Sequence, residues 1–404
     1  MKSLTESESK LATEIAARAD LLLADLRLHV ETPTGPGGGD GIEQTREILT
    51  GRLAALGADV ESIPGDEKPE WLGLLSGGEG REPPSTSVCR RISGELARVL
   101  VAGHMDTVHP VTSEFKELSV SADGLSALGP GCVDMKGGIV IATHALEALE
   151  ACGIPASWTF SLNADEETGT YHSEACLRAE AIRHDFGLAL EPALPGGELA
   201  VERMGSGQFF VETTGKSAHV GRAFADGVSA VTKLAECLVE IATYPDQERG
   251  HIVSVGPIEG GAATNAVPER ARAWGNVRFP DQAASDEIAA KLESLATGEG
   301  AMPAVAVRRS FNRPAKPLIP ETESLALAAR SAAEDLGQSL PFTKTGGVCD
   351  GNILQDAGLP TIDTLGVRGG GLHTTDEWIE IASLVERCQL LAILIARLCE
   401  RGTD

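Results

Sequence analysis

Residues 99–108, Val-Leu-Val-Ala-Gly-His-Met-Asp-Thr-Val, constrain the fold more than any other stretch of this chain. Four apolar residues without a charge, two of them β-branched, suit a strand buried on both faces. Such strands sit in mostly parallel sheets covered by helices. Gly103 ends the run. His104 and Asp106 stand two residues apart, so on extended backbone they point to one side. In an open α/β sheet, ligands bind at the carboxyl ends of the strands. The pair is either a metal ligand with the acid that orients it, or a solvated surface turn.

The same pattern returns downstream. Residues 157–162 read as a strand running into Asn163-Ala164-Asp165-Glu166-Glu167, and 186–190 as a strand tipped by Glu191-Pro192. Adjacent acids repel one another; they form a solvated turn, or a bound divalent cation offsets the repulsion. Between these strands, Gly129-Pro130-Gly131-Cys132-Val133-Asp134 leads into a helix at 139–149. Asp134 is there either a helix cap after a glycine turn or a ligand on backbone that the glycines let approach closely. Three strand ends, each bearing His or carboxylate, argue for one site rather than three unrelated turns. Adding His373 of a polar loop at 369–377, the candidates are His104, Asp106, Asp134, Glu166, Glu167, Glu191 and His373. Imidazole and carboxylate ligands suit Zn²⁺, with Co²⁺ or Mn²⁺ as alternatives. So many candidate ligands exceed one tetrahedral ion and suit two ions that share a carboxylate and activate a water between them.

The rest of the chain frames this site. Helices are expected at 11–30, 42–56, 324–336 and 381–398, strands at 58–63 and 360–365, and an irregular stretch with a hairpin at 64–98. From 199 to 311 the pattern changes to strand, helix, strand, strand, helix, strand, the order of a ferredoxin-like α+β unit. The expected architecture is α/β: a catalytic domain of residues 1–198 and 312–404, its central mostly parallel sheet flanked by helices, with the 199–311 unit inserted. A net charge of -25 opposes binding to nucleic acid. No stretch has the roughly 18 apolar residues of a membrane span. A polar, acidic N-terminus without a signal-peptide pattern points to the cytoplasm. Eight scattered cysteines with no CxxC read as reduced thiols.

His104-Met105-Asp106-Thr107-Val108, Gly131-Cys132-Val133-Asp134-Met135-Lys136-Gly137-Gly138, Asp165-Glu166-Glu167-Thr168-Gly169, Glu191-Pro192 and Gly371-Leu372-His373 resemble, in order, the five metal-site motifs of the M20 metallopeptidase family. The resemblance spans nearly the whole chain. It implies two Zn²⁺ per subunit, His104 and Glu191 on one ion, Glu167 and His373 on the other, and Asp134 bridging. It makes Glu166 the general base and Asp106 the acid that holds the His104 ring. Asp165 is left as a solvated turn residue.

Gly215-Lys216-Ser217-Ala218-His219-Val220-Gly221 resembles the family motif whose His reaches the partner subunit's active site and supports the oxyanion. The resemblance therefore implies a homodimer formed through the inserted unit. Asn265 resembles a second oxyanion or substrate contact, and Arg278 a clamp for a substrate carboxylate. Residues 346–352 and 360–366 look most like the glutamate carboxypeptidase branch. Cys349 and Asp363-Thr364-Leu365 depart from that branch's usual residues. The implied activity is cleavage of an amide next to a free carboxylate in a small peptide or N-acyl amino acid. The alternative is an N-acyl-amino-acid deacylase of the aminoacylase or acetylornithine deacetylase type.

Overall fold

The computed structural model describes residues 4–76 and 82–400. The strand Arg98–His104 lies inside a six-stranded sheet. The strand order is Asp59–Ile63, Thr86–Arg91, Ser157–Asn163, Arg98–His104, Phe186–Ala189, Thr361–Ile362. Arg98–His104 runs parallel to both neighbours, with His104 opposite Asn163 and Ala102 opposite Ala189. Thr361–Ile362 continues the parallel set, and Thr86–Arg91 alone opposes its two neighbours. This is the central, mostly parallel sheet flanked by helices that the apolar runs predict.

Alternation along Arg98–His104 shows why the run must be apolar throughout. Val99 and Val101 face the large core, with residues of the helices Gly137–Ala151 and Ala382–Glu400. Leu100 and Ala102 face a second cluster built from Leu177, Ala181, Ile353 and Leu354. Each fully buried Val or Leu contributes about 1.5–3 kcal/mol relative to exposure. A polar residue at any of these positions would therefore lose the contact and also pay for desolvation.

Elsewhere the structure departs from the periodicity. The single helix expected at 11–30 is two, Glu6–Ala16 and Ala19–Val30. The break keeps Leu11 and Ile15, then Leu22 and Leu26, in the same core. No hairpin lies within 64–98 among the described residues; 77–81 fall outside them. Thr86–Arg91 instead pairs with Asp59–Ile63 and Ser157–Asn163, and a short helix, Glu70–Ser76, occupies part of the connection. The segment after the His104 strand contributes the strands Ser119–Val120 and Ser126–Leu128 to a small sheet with Trp378–Glu380 and Gly369–Gly370.

A second sheet is antiparallel, ordered Ile252–Gly260, Arg270–Phe279, Gly205–Thr214, Ala304–Arg313. The helices Ala230–Ile241 and Gln282–Glu293 cover one face and share a separate core with Phe209, Val211, Ala273 and Val277. Ser206, Gln208, Phe210, Trp274, Asn276 and Arg278 alternate onto the other face. There Trp71 of the short helix packs against Phe210 and Trp274, and the Trp274 indole N–H donates to the Trp71 carbonyl at 2.9 Å. Leu199–Arg203, at the start of the expected insertion, pairs instead with Phe342–Thr345, and Leu199 and Val201 lie in the large core. All eight cysteines are unpaired, and no described helix is long and apolar enough to cross a membrane.

Candidate metal centre

Parallel register brings the strand ends level. His104 closes one strand, Asn163 its neighbour, and Glu191 follows the next by two residues. Asp134 enters from the turn after Gly131, and His373 from the loop before Trp378. His373 sits at φ +62°, an uncommon conformation for a side chain-bearing residue. Two groups of three result: His104, Asp134 and Glu191; and Asp134, Glu167 and His373. Within each, ligand atoms lie within 4.8 Å of one another. His104 Nε2 is 3.3 Å from Asp134 Oδ1, and His373 Nε2 is 3.5 Å from Asp134 Oδ2 and 3.4 Å from Glu167 Oε2. Asp134 is common to both groups.

The donors fit divalent cations. His104 Nε2, Asp134 Oδ1 and Glu167 Oε1 are buried with no hydrogen-bond partner among the described residues. Buried polar atoms are otherwise nearly always paired. Protonation shows the same demand for positive charge. Burial works against a charge on His104, but the adjacent carboxylates of Asp106 and Asp134 hold its pKa well above the ordinary value. Asp134 and Glu167 raise His373 to about 10. Burial, with the charges of Glu166 and Asp134, pushes Glu191 well above the usual carboxylate range. Two ions would supply the charge that these acids lack.

Asp106 serves two tasks. Its carbonyl oxygen, at 2.9 Å, holds His104 Nδ1, whereas its Oδ1 lies 3.5 Å from that nitrogen. The carboxylate is drawn instead to the backbone N–H of Glu166 and Glu167, at 3.3 and 3.0 Å, and so fixes the turn Glu166–Thr168. Asp165 is buried, not solvated: its oxygens accept from Ser173 Oγ at 2.5 Å and from the His172 N–H at 2.6 Å.

A cavity of about 650 Å³ opens beside the two groups. It is bounded by the acids and His373 on one side and by Ser206, Gln208, Asn276, Arg278 and Arg313 of the second sheet on the other. Arg313, which the sequence reading missed, lies 2.8 Å from Glu166 Oε1 and donates to the Glu166 carbonyl at 2.7 Å. Burial pushes Glu166 up to about 7, with Arg313 pulling the other way. Arg203, also missed, is neutralised by Asp363 at 2.8 Å. Arg278 has no such acid, and its buried Nη1 has no partner among the described residues. Burial and then Arg313 lower its pKa. His219 and Asn265 do not join the cavity within one chain. Both are exposed, joined to each other's loop by the Val220 N–H to the Asn265 carbonyl at 3.1 Å. Glu377 and His109 were also passed over; they lie behind Asp134.

Residues 100–397 match the model of peptidase family M20/M25/M40. Carboxypeptidase G2 of Pseudomonas sp. (strain RS-16) is 27% identical over 381 residues, 93% of this chain and 88% of that protein. A succinyl-diaminopimelate desuccinylase of Methylobacterium radiotolerans is 28% identical over 326 residues, 75% and 81% of the two chains. Among solved structures, a tripeptidase of Staphylococcus aureus matches with a TM-score of 0.74 at 23% identity, over 95% of this chain and 99% of the other. YXEP of Bacillus subtilis, a dinuclear metal-binding M20 peptidase, matches at 0.64 and 16% identity, over 95% and 100%.

Proposed function

This chain belongs to peptidase family M20/M25/M40, a family of metal-dependent amide hydrolases, and on that premise we propose its finer chemistry. The reaction is cleavage of an amide next to a free carboxylate, in a small peptide or N-acyl amino acid, as by a glutamate carboxypeptidase. Arg278 carries this reading: a partly buried guanidinium in the cavity wall, without an acid of its own, calls for an anionic ligand. A planar, bidentate donor suits a carboxylate.

In this reading His104 and Glu191 hold one Zn²⁺, Glu167 and His373 the other, and Asp134 both. When bound, the ions polarise the substrate carbonyl and lower the pKa of a water. Glu166 moves the proton. Arg313 engages its Oε1, which leaves Oε2 to take a proton from the attacking water and deliver it to the leaving nitrogen. Arg278 orients the carboxylate and so the scissile bond.

The residues 199–311 act as an inserted unit through which two copies pair. The edge strand Ile252–Gly260 exposes Ile252 and Ile258, which supports pairing there. His219 and Asn265, outside the cavity of their own chain, then serve the other copy, supporting the oxyanion.

The desuccinylase relative favours a second reading, in which the acyl group rather than the released amino acid sets specificity. A substrate panel separates the two. Chelator-stripped protein is assayed with and without Zn²⁺ on C-terminal glutamyl peptides, N-succinyl and N-acetyl amino acids, beside Glu166→Ala. Expected is zinc-restored hydrolysis of the glutamyl peptides, lowered about 10²–10⁴-fold by the substitution. Preference for one acyl group across many amino acids would favour the deacylase. Turnover of none would overturn both.

A further inference from the structure

Glu377 lies four residues beyond His373, is 1% exposed, and gathers four donors. Its Oε1 accepts from the backbone N–H of Val133 at 3.0 Å and of Asp134 at 3.1 Å. Its Oε2 accepts from the Gly131 N–H at 2.8 Å and lies 2.6 Å from His109 Nε2. A carboxylate only accepts, so that His109 nitrogen carries the proton. Gly131 can aim its N–H this way because it holds φ +68°, and a Cβ there would lie 2.5 Å from Thr107 Cγ2. The main chain completes the joint: the Gly129 N–H donates to the Glu377 carbonyl at 3.0 Å, and Trp378 pairs with Leu128 in the small sheet.

We propose that Glu377 is a positioning residue that joins the Asp134 turn to the His373 loop, so that both metal-ligand groups assemble as one unit. The two loops lie far apart in sequence, and Glu377 bonds the backbone of one from its place on the other. Asp134 belongs to both ligand groups, and its backbone N–H is one of the donors that Glu377 holds. His373 belongs to one group and rides on the loop that Glu377 anchors. Loss of the joint therefore loosens the Glu167–His373 group from both sides and the His104–Glu191 group from one. Groups behind a metal ligand commonly change metal affinity 10- to 100-fold.

The inference rests on the two-ion reading of the site, and the test keeps them apart. Stripped wild type, Glu377→Gln, His109→Ala and His109→Gln are titrated with Zn²⁺ against a competing chelating dye. The Co²⁺ absorption spectrum is recorded in parallel. Glu377→Gln sets an amide NH₂ against donors it cannot accept from. Wild type should bind two ions. Glu377→Gln should weaken one 10- to 100-fold and the other less, with an altered Co²⁺ spectrum. His109→Ala should weaken binding in the same order, and His109→Gln, whose amide can still donate, should recover most of it. Should Glu377→Gln not fold, the His109 pair decides alone. Folded variants that bind both ions as tightly as wild type would overturn the inference and leave the two-ion site standing. Wild type that binds no ion would overturn both.

Discussion

Arg278 and Arg313 share one wall of the cavity, yet their environments assign them different work. Arg313 is spent on Glu166, whereas the buried Nη1 of Arg278 has no partner among the described residues, which supports its proposed role as the substrate clamp. A charged hydrogen bond contributes about 1.5–3 kcal/mol, so Arg278→Ala should lower kcat/KM about 10- to 100-fold, chiefly through KM. A substrate whose carboxylate is replaced by a carboxamide should be equally poor with both proteins; a further drop with the variant would refute the clamp. His29 offers a test of stability. Its Nε2 is buried without a partner among the described residues, and burial depresses its pKa to about 4. Between that value and 6.5 the unfolded chain binds a proton that the folded chain refuses. Stability should therefore fall as pH drops through this window, by up to about 3 kcal/mol. Urea unfolding at pH 7 and pH 4.5 should show a shallower loss for His29→Gln than for wild type. His104 and Asp134 could be named from sequence because several strand ends carry His or carboxylate together and their motifs resemble those of a known family. Arg313, Arg203 and Glu377 could not, since an Arg or Glu in a strand or loop looks the same whether it meets a partner or water.

Close approach between elements explains the glycines near the site. Gly138 lies in the first turn of the helix Gly137–Ala151, and a Cβ there would lie 2.3 Å from the Leu190 carbonyl oxygen. Helix and strand end must part to admit Ala, at a cost of about 1–3 kcal/mol. Since Glu191 follows Leu190, zinc affinity should weaken along with thermal stability. Gly51 is the control: it lies within the helix Gly39–Ala55 and a Cβ there meets nothing within 4 Å. Gly51→Ala should stabilise by up to about 1 kcal/mol and leave metal binding unchanged. Thermal melts and dye titrations of the two variants check both statements; equal behaviour would refute the packing argument. Element boundaries were less legible than element types. The second helix of the expected 199–311 unit starts at Gln282, where Asp281 caps it by accepting the Ala284 N–H at 2.8 Å. The cap is a local signal that the apolar periodicity does not contain. The break between Ala16 and Ala19 has no such signal, because packing rather than a Gly or Pro dictates it.

At the scale of the whole molecule, His219 lies outside the cavity of its own chain, and the proposed dimer has the other copy supply it. If a second copy supplies it, His219→Ala and Glu166→Ala, each inactive, should complement after subunit exchange. Each heterodimer would hold one intact site, for about a quarter of wild-type activity in an equal mixture. Demonstrated exchange without recovery would sink the trans role. Ile258→Lys on the exposed edge strand should shift the protein to monomers in sedimentation and remove activity together; monomers with full activity would refute the pairing. By itself the sequence determined what is local: which runs form strands, their burial on two faces, and the His and carboxylates at their ends. Period and side-chain chemistry are properties of neighbouring residues, so they can be read without a structure. The tertiary structure alone decided which strand lies beside which, as when Thr86–Arg91 enters between Asp59–Ile63 and Ser157–Asn163. It also brought Arg313 to Glu166 across 147 residues and Glu377 to Asp134 across 243. Such pairs form where distant segments fold together, and no local pattern in the chain records the meeting.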